Sequence, residues 1–126
     1  GDTVTLDDFA DRKLVLYFYP KDDTPGCTKE ACSFRDTLSR LQDHNVAVVG
    51  VSADTVASHR QFADKYDLDF QLLADPDKDI IAAYDAEGRF GNAARITVLI
   101  DEDGVVEQVY EDVDPGSHAE EILEDL

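Results

Sequence analysis

An α/β fold, a central mixed sheet with helices on both faces, is what this sequence predicts, and three observations carry the prediction. Two apolar runs, Leu14 to Tyr19 and Val46 to Val51, are continuous rather than alternating, as strands covered on both faces are. Between them Ala31, Phe34, Leu38 and Leu41 recur at helical spacing, which makes a strand-helix-strand unit of the kind that builds parallel sheets. Towards the other end, Arg95 to Ile100 and Val105 to Tyr110 flank Asp101-Glu102-Asp103-Gly104, a hairpin signal that adds an antiparallel pair.

Taken in order, the first strand is ended by Pro20, and Thr24-Pro25-Gly26 supplies an N-cap and a helix-compatible proline for the first helix. Phe62 and Tyr66 mark one face of a second helix, and Leu72-Leu73 a weak strand. Ile80, Ile81 and Tyr84 mark a short third helix. The last helix is expected from about Ser117, with Glu120 completing a capping box and Ala119, Ile122, Leu123 and Leu126 as its core face. This order fits a thioredoxin-like sheet. A Rossmann or flavodoxin-like sheet competes, but no G-x-G-x-x-G follows the first strand. With no repeat or linker, residues 1–126 are expected to form a single domain, and Gly1 with no Met anywhere implies that a natural N-terminal segment is missing.

Charge narrows the function classes. Against 11 Lys plus Arg stand 29 Asp plus Glu, a formal charge of -18, which repels phosphate backbones and anionic membranes. No nucleic acid or membrane partner is therefore expected, and no apolar run approaches a membrane span. High-salt adaptation is the preferred reading, because self-repulsion of this size is relieved by screening; an ordinary acidic protein is the alternative.

Cys27 and Cys32 are too few for a secreted disulfide scaffold and point to redox chemistry or chance. Cys27 falls in the first turn of the first helix, where unpaired N–H groups and the dipole favour an anion, and the thiolate is the nucleophilic form of cysteine. Lys29 and Arg35 add positive charge nearby in sequence. A free cysteine is ordinarily a small buried hydrophobe, and placement behind Pro25-Gly26 argues against that here.

The run Pro20-Lys21-Asp22-Asp23-Thr24-Pro25-Gly26-Cys27 has the pattern P-x-x-x-T-x-x-C, and it continues as Thr28-Lys29-Glu30-Ala31-Cys32-Ser33-Phe34-Arg35-Asp36. It resembles the peroxiredoxins, and among them the peroxiredoxin Q or bacterioferritin comigratory protein subfamily. Similarity also covers Tyr17 to Pro20, Val49 to Asp54, Arg95 to Asp101 and Gly116 to Glu121. The resemblance implies a thiol peroxidase acting on hydrogen peroxide and organic hydroperoxides. In it Cys27 matches the peroxidatic cysteine and Cys32 the resolving one, which condenses with the Cys27 sulfenic acid to an intramolecular disulfide. Thr24 matches the motif threonine that faces thiolate and peroxide, and Pro20 the proline that shields the site from water. Arg95 matches the active-site arginine and Glu30 a glutamate that positions it. Thioredoxin or a similar dithiol is the implied reductant, with no metal or organic cofactor. A monomer or weak dimer in the cytoplasm is expected. Two departures stand out: the A-P-D-F-type strand is missing before Gly1-Asp2-Thr3-Val4, and the linker between Tyr84 and Arg95 is short and carries no Trp.

Rival readings fit less well. A thioredoxin-like disulfide reductase needs C-x-x-C and a Pro where this chain has Ile96 before Thr97. A calcium loop at Asp75-x-Asp77-x-Asp79 would need Gly at Ile80 and a carboxylate at Ala86, so that stretch reads as a solvated acidic turn. Zinc lacks ligands, and His44, His59 and His118 read as surface residues. A non-catalytic redox sensor would use the same two cysteines.

Overall fold

The computed structural model describes residues 9, 11–88, 93–111 and 113–126. Within them lie β1 (Lys13–Phe18), α1 (Pro25–Asp43), β2 (Val46–Ser52), α2 (Val56–Tyr66), β3 (Gln71–Ala74), α3 (Asp79–Ala83), β4 (Ile96–Ile100), β5 (Val106–Tyr110) and α4 (His118–Asp125). They assemble one mixed sheet in the order β3-β2-β1-β4-β5. β2 pairs parallel with β1 and β3, whereas β4 runs antiparallel to β1 and β5. The expected strand-helix-strand unit is thus β1-α1-β2, and the expected hairpin is β4-β5. The stretch Gly1-Asp2-Thr3-Val4, and residues 89–92 of the linker before Arg95, lie outside the described residues.

The continuous apolar runs are explained by two cores. Val15, Tyr17 and Tyr19 point to one face, where they pack with Phe34 and Leu41 of α1, Phe62 of α2 and Ile122 of α4. Leu14, Leu16 and Phe18 point to the other, against Ile81 of α3 and Val98 and Ile100 of β4. Alternation along β1 therefore delivers every side chain after Lys13 to a core, and period two is invisible in hydropathy because both faces are dry. At about 25 cal/mol per Å² of apolar surface removed from water, this double burial supplies the main drive for the sheet.

Three local expectations are corrected. Ser117 makes no side-chain cap, and Glu120 reaches across to Arg40 of α1 instead of back to its own helix start. Thr24 also makes no side-chain cap. Asp75 is buried and not part of a solvated turn: its carboxylate accepts from the backbone N–H of Asp79 and Ile81, at 3.0 and 2.8 Å, and so seals the start of α3. A cap of the predicted type does occur at Thr55, whose hydroxyl oxygen accepts from Ser58 N–H at the start of α2.

Candidate active site

Pro25 opens α1 with a φ already suited to the first turn and no N–H to leave unpaired. Two residues on, Cys27 is 1% exposed and packs on the core face with Ala31 and Phe34. Arg95 arrives directly ahead of β4. It donates from Nη2 to Cys27 Sγ at 3.4 Å and from Nη1 to Glu30 Oε1 at 2.8 Å. Gly26 permits this approach, since a Cβ there would stand 2.9 Å from Arg95 Nη2. A fixed cation and the positive end of a helix therefore meet at one sulfur, an arrangement suited to stabilising negative charge that develops beside it.

Glu30 lies one turn along α1 from Cys27, fully buried, and its Oε2 has no hydrogen-bond partner among the described residues. Burial lifts its carboxyl up to about 7, against the charge and hydrogen bond of Arg95, which act to lower it. For Arg95 burial acts to lower the value, and the charges of Cys27 and Glu30 outweigh it, so its pKa is raised. The guanidinium is the permanent charge of the pair, and Glu30 is the half that changes state. The hydroxyl of Tyr17 is a second buried polar atom without a partner among the described residues. Its phenol is pushed well above the ordinary value by burial first, then by the charges of Glu30 and Cys27.

The remaining predicted residues lie on the loop before α1 and on α1 itself. Pro20 and Thr24 are both half-buried and bound the loop that leads into α1. The Thr24 hydroxyl donates to Lys21 O at 2.9 Å, so its oxygen keeps lone pairs with which to accept. Cys32 is free and half-buried on the same unbroken helix as Cys27. Lys29 is exposed, and Arg35 is engaged with Asp36 and the carbonyl of Tyr66.

The AhpC/TSA family matches residues 1–109 of this chain. The chain belongs to that family. It is 45% identical to a putative peroxiredoxin bcp of Coxiella burnetii, over 98% of this chain and 86% of that one. To the chloroplastic peroxiredoxin Q of Triticum aestivum it is 41% identical over 98% of its length, although it spans only 58% of that relative. Among solved structures, a PrxQ mutant of Xylella fastidiosa superposes with a TM-score of 0.92 at 35% identity, covering 97% of this chain and 80% of that one. The bacterioferritin comigratory protein of Xanthomonas campestris gives the same TM-score, 0.92, at 34% identity, covering 99% and 83%. The fold of this peroxiredoxin is accordingly thioredoxin-like, as its element order predicted.

Two buried histidines of this peroxiredoxin escaped the sequence reading. His118 is 1% exposed, between the rings of Phe34 and Tyr110, with Nε2 2.7 Å from Thr97 Oγ1. His59 is 4% exposed and meets Asp22 of the motif loop. Its position three residues before Phe62 was the available signal, because that spacing puts both on one helix face. Asp22, Asp54 and His59 bring ligand atoms within 4.8 Å of one another, the spacing a metal would need. Both ring nitrogens of His59 nevertheless face acceptors, Asp22 Oδ2 at 2.7 Å and Leu73 O at 2.9 Å. In this structure hydrogen bonds join the three residues through Asp22, whose backbone N–H donates to Asp54 and whose carboxylate meets the His59 ring. Among the described residues no helix is long and apolar enough to cross a membrane.

Proposed function

We propose that this chain is a thiol peroxidase in which Cys27 reduces hydrogen peroxide and organic hydroperoxides and Cys32 resolves the product. The observation that carries this reading is the Arg95 fork, which holds Cys27 Sγ with one amino group and Glu30 with the other. The Cys27 thiolate attacks one peroxide oxygen; an S–O bond forms, the O–O bond breaks, and the departing oxygen leaves as water or alcohol after taking a proton. Arg95, 3.4 Å from the sulfur, is the donor that stabilises the charge developing on the departing oxygen in this reading. The Thr24 oxygen, with its proton committed to Lys21, keeps lone pairs that accept from the peroxide O–H in this reading, and Pro20 limits the entry of water. Cys32 then attacks the sulfenic sulfur; S–S forms, the S–O bond breaks, and the hydroxide takes up the proton lost by the Cys32 thiol and leaves as water. A thioredoxin-like dithiol returns both cysteines to thiols by exchange. Cytoplasmic location belongs to the same proposal, since a compartment that supplies that dithiol keeps the cycle turning.

The test is peroxide consumption by the reduced protein with thioredoxin and thioredoxin reductase. Wild type should turn over many times, Cys27→Ser not at all, and Cys32→Ser should consume about one equivalent and stop. Multi-turnover activity without Cys27 would sink the assignment. A wild type that oxidises once and then halts with reductant present would mark a sensor instead.

A further inference from the structure

We propose that His59, as an imidazolium paired with Asp22, is a positioning residue: a buried latch that holds the loop between β1 and α1 in the geometry from which Cys27 attacks peroxide. This rests on the thiol peroxidase reading above. The loop 19–24 has no helix or strand of its own, yet it must place Pro20, Thr24 and the start of α1 around one sulfur. What fixes it is Asp22, 8% exposed. Oδ1 accepts from the Tyr19 hydroxyl at 2.6 Å, and Oδ2 accepts from the Ser58 hydroxyl and from His59 Nδ1, both at 2.7 Å. The backbone N–H of Asp22 donates to Asp54 Oδ2 at 2.9 Å, and Ser52 donates to that same oxygen at 2.6 Å. One residue later Asp23 has φ 58°, a left-handed conformation that a non-glycine residue keeps only where its surroundings hold it.

The charge state of the ring follows from its partners. A carbonyl can only accept, and an ionised carboxylate can only accept, so His59 must donate from both nitrogens. The groups facing it are Asp22 from the loop, the Tyr19 hydroxyl oxygen at 3.4 Å, Leu73 O from β3 and, further off, the charge of Asp54. Burial acts to lower its pKa; the bond and charge of Asp22, the Leu73 carbonyl and Asp54 outweigh it, and the value is raised. For Asp22 burial acts to raise the value, and the bonds from His59, Tyr19 and Ser58 outweigh it, so its pKa is lowered. A histidine with a raised folded pKa contributes fully below its unfolded value, about 6.5, and loses that contribution as pH climbs through the folded one. Asp22 fails only on the acid side, as pH falls through its lowered value. The latch is therefore closed while the ring keeps both protons and opens as pH climbs through the raised value, when one bare nitrogen is left facing an acceptor. Alkali favours thiolate, so a rate that falls there has the opposite sign to cysteine ionisation.

Two measurements on the reduced protein test this. Nitrogen NMR of His59 across a pH titration reads whether both ring nitrogens carry protons, and stopped-flow oxidation of Cys27 by hydrogen peroxide reads the consequence. Both nitrogens should be protonated at neutral pH, and the wild-type rate constant should decline in alkali with the midpoint of the His59 titration. His59→Asn, too short to join Asp22 to Leu73, should react at least about 10-fold more slowly at neutral pH and lose the alkaline decline. A bare ring nitrogen at neutral pH overturns the latch, and so does a wild-type alkaline limb unrelated to His59. Both are read on the native protein, whether or not the variant folds. A wild type inert towards peroxide overturns the peroxidase reading and the positioning role with it, even beside a doubly protonated ring.

Discussion

The two ends of the motif loop handle buried polarity in opposite ways. Around Asp22 both carboxylate oxygens accept and both His59 nitrogens are engaged. Around Cys27, among the described residues, Glu30 keeps one oxygen without a partner and Tyr17 its hydroxyl, both fully buried. Leaving such a group unmade costs about 1–3 kcal/mol. That the fold carries two of them beside the proposed nucleophile, and none in the adjoining network, separates the part proposed to react from the part proposed to hold. Unmade capacity near the sulfur can respond to a charge that appears only during reaction; a saturated network gains nothing by moving.

The largest break should come at the reacting end. Arg95→Ala removes the fork from Cys27 and should slow sulfenate formation by about 100- to 1,000-fold, with little change in circular dichroism. Arg95→Lys should recover only part of this, because an ammonium cannot reach Sγ and Glu30 with two fixed donors. Stopped-flow rates for the alanine variant within a few-fold of wild type would rule the role out.

Next in size is a change of state in α1. Residues five apart in an intact helix have Cα atoms about 8–9 Å apart and point to different faces, while a disulfide tolerates at most about 7 Å. Cys27 and Cys32 share the unbroken helix Pro25–Asp43, so their disulfide requires its first turns to unwind. Hydrogen exchange should show Thr28 to Phe34 losing protection in the oxidised protein while α2 around His59 stays protected. Equal protection in both redox forms would count against Cys32 as the resolving partner.

The holding end should answer in stability. Asp22→Ala strands a buried imidazolium and should cost about 3 kcal/mol in urea unfolding at neutral pH. Glu30→Gln should behave differently. A carboxyl raised to about 7 by burial penalises the fold once ionised, so wild-type stability falls as pH climbs from the ordinary carboxylate range through that value. The stability difference between Glu30→Gln and wild type should therefore move in the variant's favour over that interval. A difference independent of pH would show that Glu30 does not titrate there.

How much of this was legible beforehand depended on whether the signal was local. The cores of β1 and β2 showed as unbroken apolar runs, and Cys27 was placed by Pro25-Gly26 within one turn. Arg95 touches Cys27 from 68 positions away, and only the resemblance of a second segment brought it to the site. His59 was misread because a histidine carries no hydropathy signal, and its burial follows from Asp22, 37 positions distant. Asp75 was misread for a related reason: a carboxylate that caps a helix from four residues upstream looks in sequence like any other acidic turn residue. Capping residues were predicted from type alone, yet a box such as Ser117-Glu120 forms only if Glu120 has no better partner, and Arg40 supplies one.

The smallest effect should come from the exposed counterpart of the latch. Lys65 donates to Asp23 at 2.8 Å, and Tyr66 donates to its other oxygen at 2.7 Å, so α2 grips the loop a second time at the surface. Both partners of the Lys65 ion pair are more than two-fifths exposed, where water and salt screen such pairs. Lys65→Ala should thus leave the peroxide rate unchanged and lower the melting temperature slightly, and only at low ionic strength. The charge of -18 makes salt the decisive variable. Removing one cation worsens a repulsion that the whole surface already carries, and at about 1 M potassium chloride, where the Debye length is about 3 Å, that repulsion is largely screened. Melting temperatures of both proteins should rise with salt and converge. A wild-type melting temperature that stays flat or falls would refute adaptation of this surface to salt. A Lys65→Ala deficit that persists at molar salt, with a slowed peroxide reaction, would move the hold on the loop from the buried network to its exposed edge.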